Sequence, residues 1–274
     1  MGRTKPVFTP KNTDFTGFGG QFNLLTVKEK NMKRILGVLL LLVGGMAMPT
    51  VASAEGQIGV YVAPKFIYSL TQMDSFKGHF TESGDSYSER GGSKTDNTFG
   101  GSIAIGYDFD KQFGVPIRTE LEYAGFSRAE TEKSYGSDEW SSKMKQTFGI
   151  QTLFFNAYWD INTGTKFTPY VGAGLGMAFV NTKFKDSGYD IADPDDSWDD
   201  STGSKNVTNF AWNVGAGLGY DFTENWTMDI GYRFVGLGSV KTKTYSSSED
   251  EFAMYGKTEN LYQHQVAVGV RYTF

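Results

Sequence analysis

FAWNVGAGLGYDFTENWTMDIGYRF, residues 210–234, sets two alternating runs around a three-residue break. In the first, Trp212, Val214, Ala216, Leu218, Tyr220 and Phe222 alternate with Asn213, Gly215, Gly217, Gly219 and Asp221. After Thr223–Asn225, Trp226, Met228, Ile230, Tyr232 and Phe234 alternate with Thr227, Asp229, Gly231 and Arg233. A period of two with one greasy side and one polar or tiny side predicts two strands of a hairpin, each facing two different environments.

The same scheme recurs on both sides of this stretch. Downstream, Val266, Val268, Val270, Tyr272 and Phe274 alternate with Gln265, Ala267, Gly269, Arg271 and Thr273. Upstream lie Val171, Ala173, Leu175, Met177 and Phe179, then Ile117, Thr119, Leu121 and Tyr123 against Arg118, Glu120 and Glu122. Earlier still, Ile103, Ile105, Tyr107 and Phe109 oppose Ser102, Ala104, Gly106 and Asp108, and Ile58, Val60, Val62 and Phe66 oppose Gly59, Tyr61, Ala63 and Lys65. Residues 146–160 are apolar on both sides, and periodicity does not assign their faces. The total is eight strands. Pro64 lacks a ladder donor, so a bulge or kink is expected in the first of them.

Connections alternate in length: short near 110–115, 161–166 and 223–225, long and polar at about 71–97, 127–145, 181–206 and 238–257. Short turns at one end and long loops at the other predict an all-β fold, an eight-stranded antiparallel up-and-down transmembrane barrel with four long extracellular loops. A soluble lipocalin-like barrel also alternates. Tyr107, Phe109, Trp159, Tyr220, Phe222, Trp226, Tyr272 and Phe274, however, gather at strand ends beside the short turns, where an interfacial girdle places amphipathic rings.

Composition agrees with this class. The chain has 274 residues, 34 glycines, no cysteine and 15% aromatics, with a mean hydropathy of -0.36. A net charge of -5 without clustered Lys or Arg argues against a nucleic-acid binder. From Met32, Lys33 and Arg34 precede a 14-residue apolar run, Ile35–Met48, then small residues at Ala52 and Ala54. This reads as a secretory signal, too short for a helical span, with cleavage expected after Ala54. Residues 1–31 are an upstream extension outside the mature protein, 32–54 the signal peptide, and 55–274 the barrel. Loss of 1–54, with seven Lys/Arg and two Asp/Glu, moves the net charge from -5 to -10.

An eight-stranded barrel is just wide enough to be filled by its own side chains. The inward parity collects Lys65, Arg118, Glu120, Glu122, Asp229, Arg233 and Arg271, which must pair to tolerate enclosure. A salt-bridge plug is the expectation, and a gating network that opens is the alternative. Glycines 172, 174, 176, 215, 217 and 219 would leave room for the long Arg and Glu side chains opposite. GAGLGM and GAGLGY lack the G-x-G-x-x-G spacing and a following helix, so they are not nucleotide loops.

His79, in a long connection, and His264, on the lipid-facing parity, are the only histidines, and no Ser is placed close to His264 in sequence to make a nucleophile pair. No catalytic group and no cofactor is expected. Asp193, Asp195, Asp196, Asp199 and Asp200, with Asp190, form an acidic stretch that lacks the ligand spacing of an EF-hand. A solvated loop is the first reading and a weak divalent-cation site the second. Tyr135, Trp140, Tyr189, Trp198 and Tyr245 are the candidate contact aromatics of the long connections.

The segments RTELEYAGFS (118–127), NAYWDI (156–161), PYVGAGLGMAF (169–179), 210–234 and VAVGVRYTF (266–274) resemble the bacterial opacity-protein, OmpA-like and surface-antigen group of small outer-membrane barrels. The resemblance covers essentially all of 55–274 and lies in the strands. It implies a bacterial outer-membrane location and an envelope-integrity, adhesin or surface-antigen role. A small gated pore is the alternative, and an outer-membrane lipid-modifying enzyme a more distant one. It further implies that Val270, Tyr272 and Phe274 are the signal read by the barrel-assembly machinery. Outer-membrane lipids, lipopolysaccharide and a host or extracellular ligand are the implied partners of a monomer.

Overall fold

The structure is a computed structural model and describes residues 58–82, 85–136, 140–193, 195, 197–247 and 252–274. The extension, signal peptide and cleavage point after Ala54 lie outside the described residues. Ten strands and one short helix follow in order: β1 (Val60–Glu82), β2 (Asp85–Asp108), α1 (Asp110–Phe113), β3 (Ile117–Phe126), β4 (Ala129–Gly136), β5 (Trp140–Asp160), β6 (Phe167–Asp190), β7 (Ser197–Asp221), β8 (Trp226–Lys241), β9 (Tyr245–Ser247) and β10 (Phe252–Thr273). Eight of them close an antiparallel ring, β1-β2-β3-β5-β6-β7-β8-β10, with β10 returning to β1. β4 and β9 pair only on the flanks of β5 and β10.

Alternation decides which side of each strand meets which medium. Leu121 (49% exposed), Phe155 (58%) and Phe210 (66%) stand outward with Ile103, Ile105, Val171, Leu175 and Ile230, an apolar belt wholly on the outside. Arg118, Glu120 and Glu122, on the opposite parity of β3, are at most 3% exposed. Closure leaves no open sheet edge at membrane depth.

At the short-turn end, Tyr107–Phe109, Tyr220–Phe222, Trp226–Tyr272 and Tyr272–Phe274 pack ring to ring. A second aromatic tier lies farther up the strands: Tyr68 with Phe99, Trp212 with Phe234, and Phe234 with Tyr262. Ten residues separate Tyr272 from Tyr262, the length of a tilted strand that crosses the hydrocarbon. Both described chain ends meet at the lower tier, where Ile58 N donates to Phe274 O.

Strands run well past the upper tier. β6 (Phe167–Asp190) and β7 (Ser197–Asp221) run past Phe179 and Trp212 respectively, so roughly 11 to 15 residues, on the order of 35–50 Å of strand, project beyond the upper tier. The four long connections are thus largely laddered hairpins. Two ladders stop at the upper tier, β2–β3 at Gly100↔Phe126 and β7–β8 at Trp212↔Gly236. Beyond those points the ring divides into one sheet of β4, β5, β6 and β7 and another of β8, β9, β10, β1 and β2. Side chains close the two seams: Asn209 Nδ2 donates to Leu237 O and Ser239 O, and Asp96 Oδ2 accepts from Glu130 N.

Residues 146–160 acquire their faces here. Gln146, Phe148, Ile150, Thr152, Phe154 and Asn156 point inward, while Phe155 and Trp159 point outward. Both parities are apolar because Phe148, Ile150 and Phe154 join an interior cluster with Met73, Val180, Val235, Leu237, Val240 and Leu261 between the two sheets. Of the bulge or kink expected at Pro64, the bulge is absent. Val62↔Tyr272 and Lys65↔Gly269 keep one register, so the ladder is interrupted without a shift. The register shifts of β1 against β2 fall between Met73 and Lys77.

Candidate functional site

Within the lower half of the barrel the charged side chains form one network. Glu122 receives Lys65 Nζ at 2.7 Å on Oε2 and Arg233 NH2 at 2.7 Å on Oε1. Lys65 also pairs with Glu120, which accepts from Tyr61 OH at 3.2 Å. Arg118 makes a two-pronged contact with Asp160 at 2.5 and 2.9 Å and lies about 5 Å from the ring centres of Tyr158 and Tyr170. Arg271 faces Asp229 at 3.6 Å and lies over Tyr61. A cavity of about 50 Å³ sits among these groups.

All seven lumen residues expected from the sequence therefore lie in this network. Asp160, Tyr61, Tyr158 and Tyr170 also belong to it. Asp160 falls at the end of the segment, 146–160, whose faces periodicity does not assign, and Asp108, also buried, lies near Arg118 and Arg271. The glycines make room as expected, but mostly for other side chains. Gly172 yields to Tyr158, Gly174 to Asn156 and Asn213, and Gly217 to Tyr170, whereas Gly215 lies against Arg233.

Above the ions the interior turns neutral. Arg233 Nε donates to Gln265, Gln265 to Gln263, and Gln263 to Thr71, which shares a hydrogen bond with Thr98. Asn213 donates to Asn156 at 2.9 Å. The apolar cluster caps this amide layer on the extracellular side. Ions, amides and hydrocarbon side chains thus fill the lumen in three successive layers.

On the projecting hairpins, paired charges cross from strand to strand. Lys143 meets Glu132 at 2.5 Å, Lys145 meets Glu130 at 2.7 Å and Lys185 meets Asp199 at 2.7 Å. The hydrogen bond from Lys143 holds the Glu132 carboxyl below its ordinary value. A carboxyl depressed in the folded state stabilises above its unfolded pKa, and that contribution disappears as pH falls through the folded one. Protease sensitivity of the β4–β5 hairpin is therefore expected to rise below the ordinary carboxylate range, and a Lys143→Gln variant to lose that step.

Asp190 spends its carboxylate on its own turn, accepting from Ala192 N at 2.7 Å and Asp193 N at 3.3 Å. Asp193 and Asp195 are exposed, Asp199 is paired with Lys185, and the side chains of Asp196 and Asp200 lie outside the described residues. Among the described residues no three His, Asp or Glu side chains gather as a metal site would require. Tyr189 is exposed; the side chains of Tyr135, Trp140 and Trp198 are outside the described set. His264 shares a hydrogen bond with Tyr232 OH at 2.8 Å on the lipid face. His79 meets Ser88 Oγ, its cross-strand neighbour on β2, at 2.9 Å and stacks on Tyr255.

A closed antiparallel ring with an apolar outside, two aromatic tiers and a packed, charged inside defines an integral outer-membrane β-barrel. The chain belongs to the outer membrane protein beta-barrel domain family, which matches residues 38–274. It is similar to outer membrane protein PagN of Salmonella typhimurium, 30% identical over 234 residues that cover 81% of this chain and 93% of that protein. It is also similar to opacity protein V28 of Neisseria gonorrhoeae, 24% identical across 63% of this chain and 76% of the relative. Among solved structures, Neisserial surface protein A matches with 18% identity, a TM-score of 0.45, and coverage of 80% of this chain and all of that one. The protein is an outer-membrane surface protein.

Proposed function

We propose that the protein is an adhesin: a plugged, rigid barrel that holds laddered hairpins at a fixed height above the outer membrane for contact with an extracellular ligand on a host surface. The observation that carries this reading is the projection of β6 and β7 well beyond the upper aromatic tier, above a lumen layered with ion pairs, amides and hydrocarbon. Ladder hydrogen bonds fix the backbone before a ligand arrives, so contact costs less ordering entropy than a flexible loop would require. A PagN relative and an opacity-protein relative support the assignment to surface display. The chain acts by binding and not by catalysis, as a monomer processed after Ala54. Phe274, hydrogen-bonded through its backbone to Ile58 and Val60, serves with Tyr272 and Val270 as its assembly signal.

Replacing 188–199 by a short Gly-Ser turn tests the proposal in a non-adherent bacterium that expresses the protein. Attachment to cultured host cells is expected to fall to background while the unboiled band still migrates faster in SDS. Undiminished attachment, with the other hairpins trimmed in turn, would overturn it. A unitary conductance in planar bilayers would favour the pore.

A further inference from the structure

We infer that Arg128 and Lys183 form a binding site for the phosphates of lipid A, on the outer face of the barrel just above the upper aromatic tier. The inference goes beyond adhesion and depends only on the fold and the membrane level. Phe179, on β6, stands outward at 37% exposure opposite Gln151, which accepts from Tyr123 OH at 3.0 Å. These groups mark the upper limit of the hydrocarbon.

Two rows follow upward. In the first, Gly149 pairs with Asn181 and Asn181 with Asn206, and the two amides are joined at 2.6 Å. In the second, Glu130 pairs with Thr147, Thr147 with Lys183, and Lys183 with Ser204. Arg128, exposed in the two-residue break between β3 and β4, precedes Ala129, which pairs with Phe148. It therefore sits level with the lower row. At about 3.3 Å per residue and a tilt near 40°, Asn181 and Lys183 lie about 5 and 10 Å above Phe179. The row of Arg128 and Asn181 thus falls within the headgroup zone, which adds about 5–7 Å on each side of the hydrocarbon, and Lys183, one row above it, is within reach of that zone through its long side chain.

Among the outward cations of β4, β5 and β6 and the break before β4, charge pairing sets these two apart. Lys143, Lys145 and Lys185, in the next rows up, are each held by Glu132, Glu130 and Asp199. Arg128 and Lys183 have no carboxylate partner among the described residues. Between them Gly149 presents no side chain, and a Cβ there would meet nothing closer than Asn181 at 3.7 Å. The gap of two strand spacings is about 10 Å, which two long cationic side chains close from opposite sides. A guanidinium supplies paired donors to phosphate oxygens and an ammonium supplies a point charge, with the Asn181–Asn206 amides beside them. Lipid A carries its phosphates at this depth, with acyl chains to lie along Phe179, Met177 and Leu175 below.

Native mass spectrometry of the detergent-solubilised protein, titrated with bis-phosphorylated and with dephosphorylated lipid A, tests the site. Wild type is expected to retain the phosphorylated form preferentially. Arg128→Gln with Lys183→Gln is expected to weaken that retention about 25-fold, roughly fivefold per cation. Arg128→Lys with Lys183→Arg, which keeps both charges, and Lys143→Gln, whose lysine already has a partner, are expected to bind like wild type. All variants should keep the heat-shifted SDS band. Equal retention of dephosphorylated lipid A, or undiminished binding by the double glutamine variant, would overturn the proposal. Inorganic phosphate that binds as tightly as lipid A would do the same, because the site would then not depend on the bilayer.

Discussion

Glu122→Ala is expected to destabilise the folded barrel by about 3–5 kcal/mol, the cost of removing one partner of an enclosed ion pair. The Glu122 side chain has no solvent exposure, and its two oxygens each take a cation at 2.7 Å. Without it Lys65 keeps Glu120, but Arg233 is left with the Gln265 amide and the face of Phe154. The temperature at which the SDS-resistant form gives way measures the effect, as does the urea midpoint of unfolding in detergent micelles. Glu122→Gln is expected to fall between wild type and alanine, since one carbonyl oxygen still accepts. Glu122→Leu combined with Arg233→Met removes both charges and keeps the volume, and should recover most of the loss. If both single variants unfold within about 0.5 kcal/mol of wild type, the network is no part of what holds the barrel closed.

The sequence disclosed the lumen so fully because parity alone sorts a strand that separates two solvents. Seven charged residues on the inward parity could be named before any geometry was available. Asp160 could not, since Phe148, Ile150 and Phe154 make both sides of its strand apolar, and only the interior cluster between the two sheets explains why. The tyrosines of the network were hidden for a related reason. Tyr61 was assigned inward but is indistinguishable by residue type from a girdle aromatic, and Tyr158 and Tyr170 reach the lumen over glycines on the facing strands. In the sequence the projecting hairpins look like long polar connections because serine, aspartate and glycine dominate them. Each ladder closes on its own hairpin, as Glu82 with Asp85, and neighbouring hairpins are joined by pairing between distant segments, such as Glu82 with Phe252, which no local pattern encodes.

Leu121→Arg tests the outer solvent from the neighbouring position on the same strand. Leu121 lies midway between the aromatic tiers, opposite Ile105 on one side and Phe155 on the other, with both neighbours exposed beside it. A cation at the bilayer midplane of an outer-membrane barrel costs about 2–4 kcal/mol and progressively less toward either interface. In lipid vesicles the variant is therefore expected to lose that much stability. Phe179→Arg, at the upper tier, should lose no more than about 1 kcal/mol because its guanidinium can reach the headgroups. A soluble barrel predicts the opposite ordering of media: there Leu121 would already face water, and an arginine would be tolerated to within about 0.5 kcal/mol. The contrast between Leu121→Arg and Phe179→Arg thus reads the membrane depth of β3 and β6 directly. Together with Glu122→Ala one residue along, it separates the two environments that the alternation of Leu121 and Glu122 keeps apart.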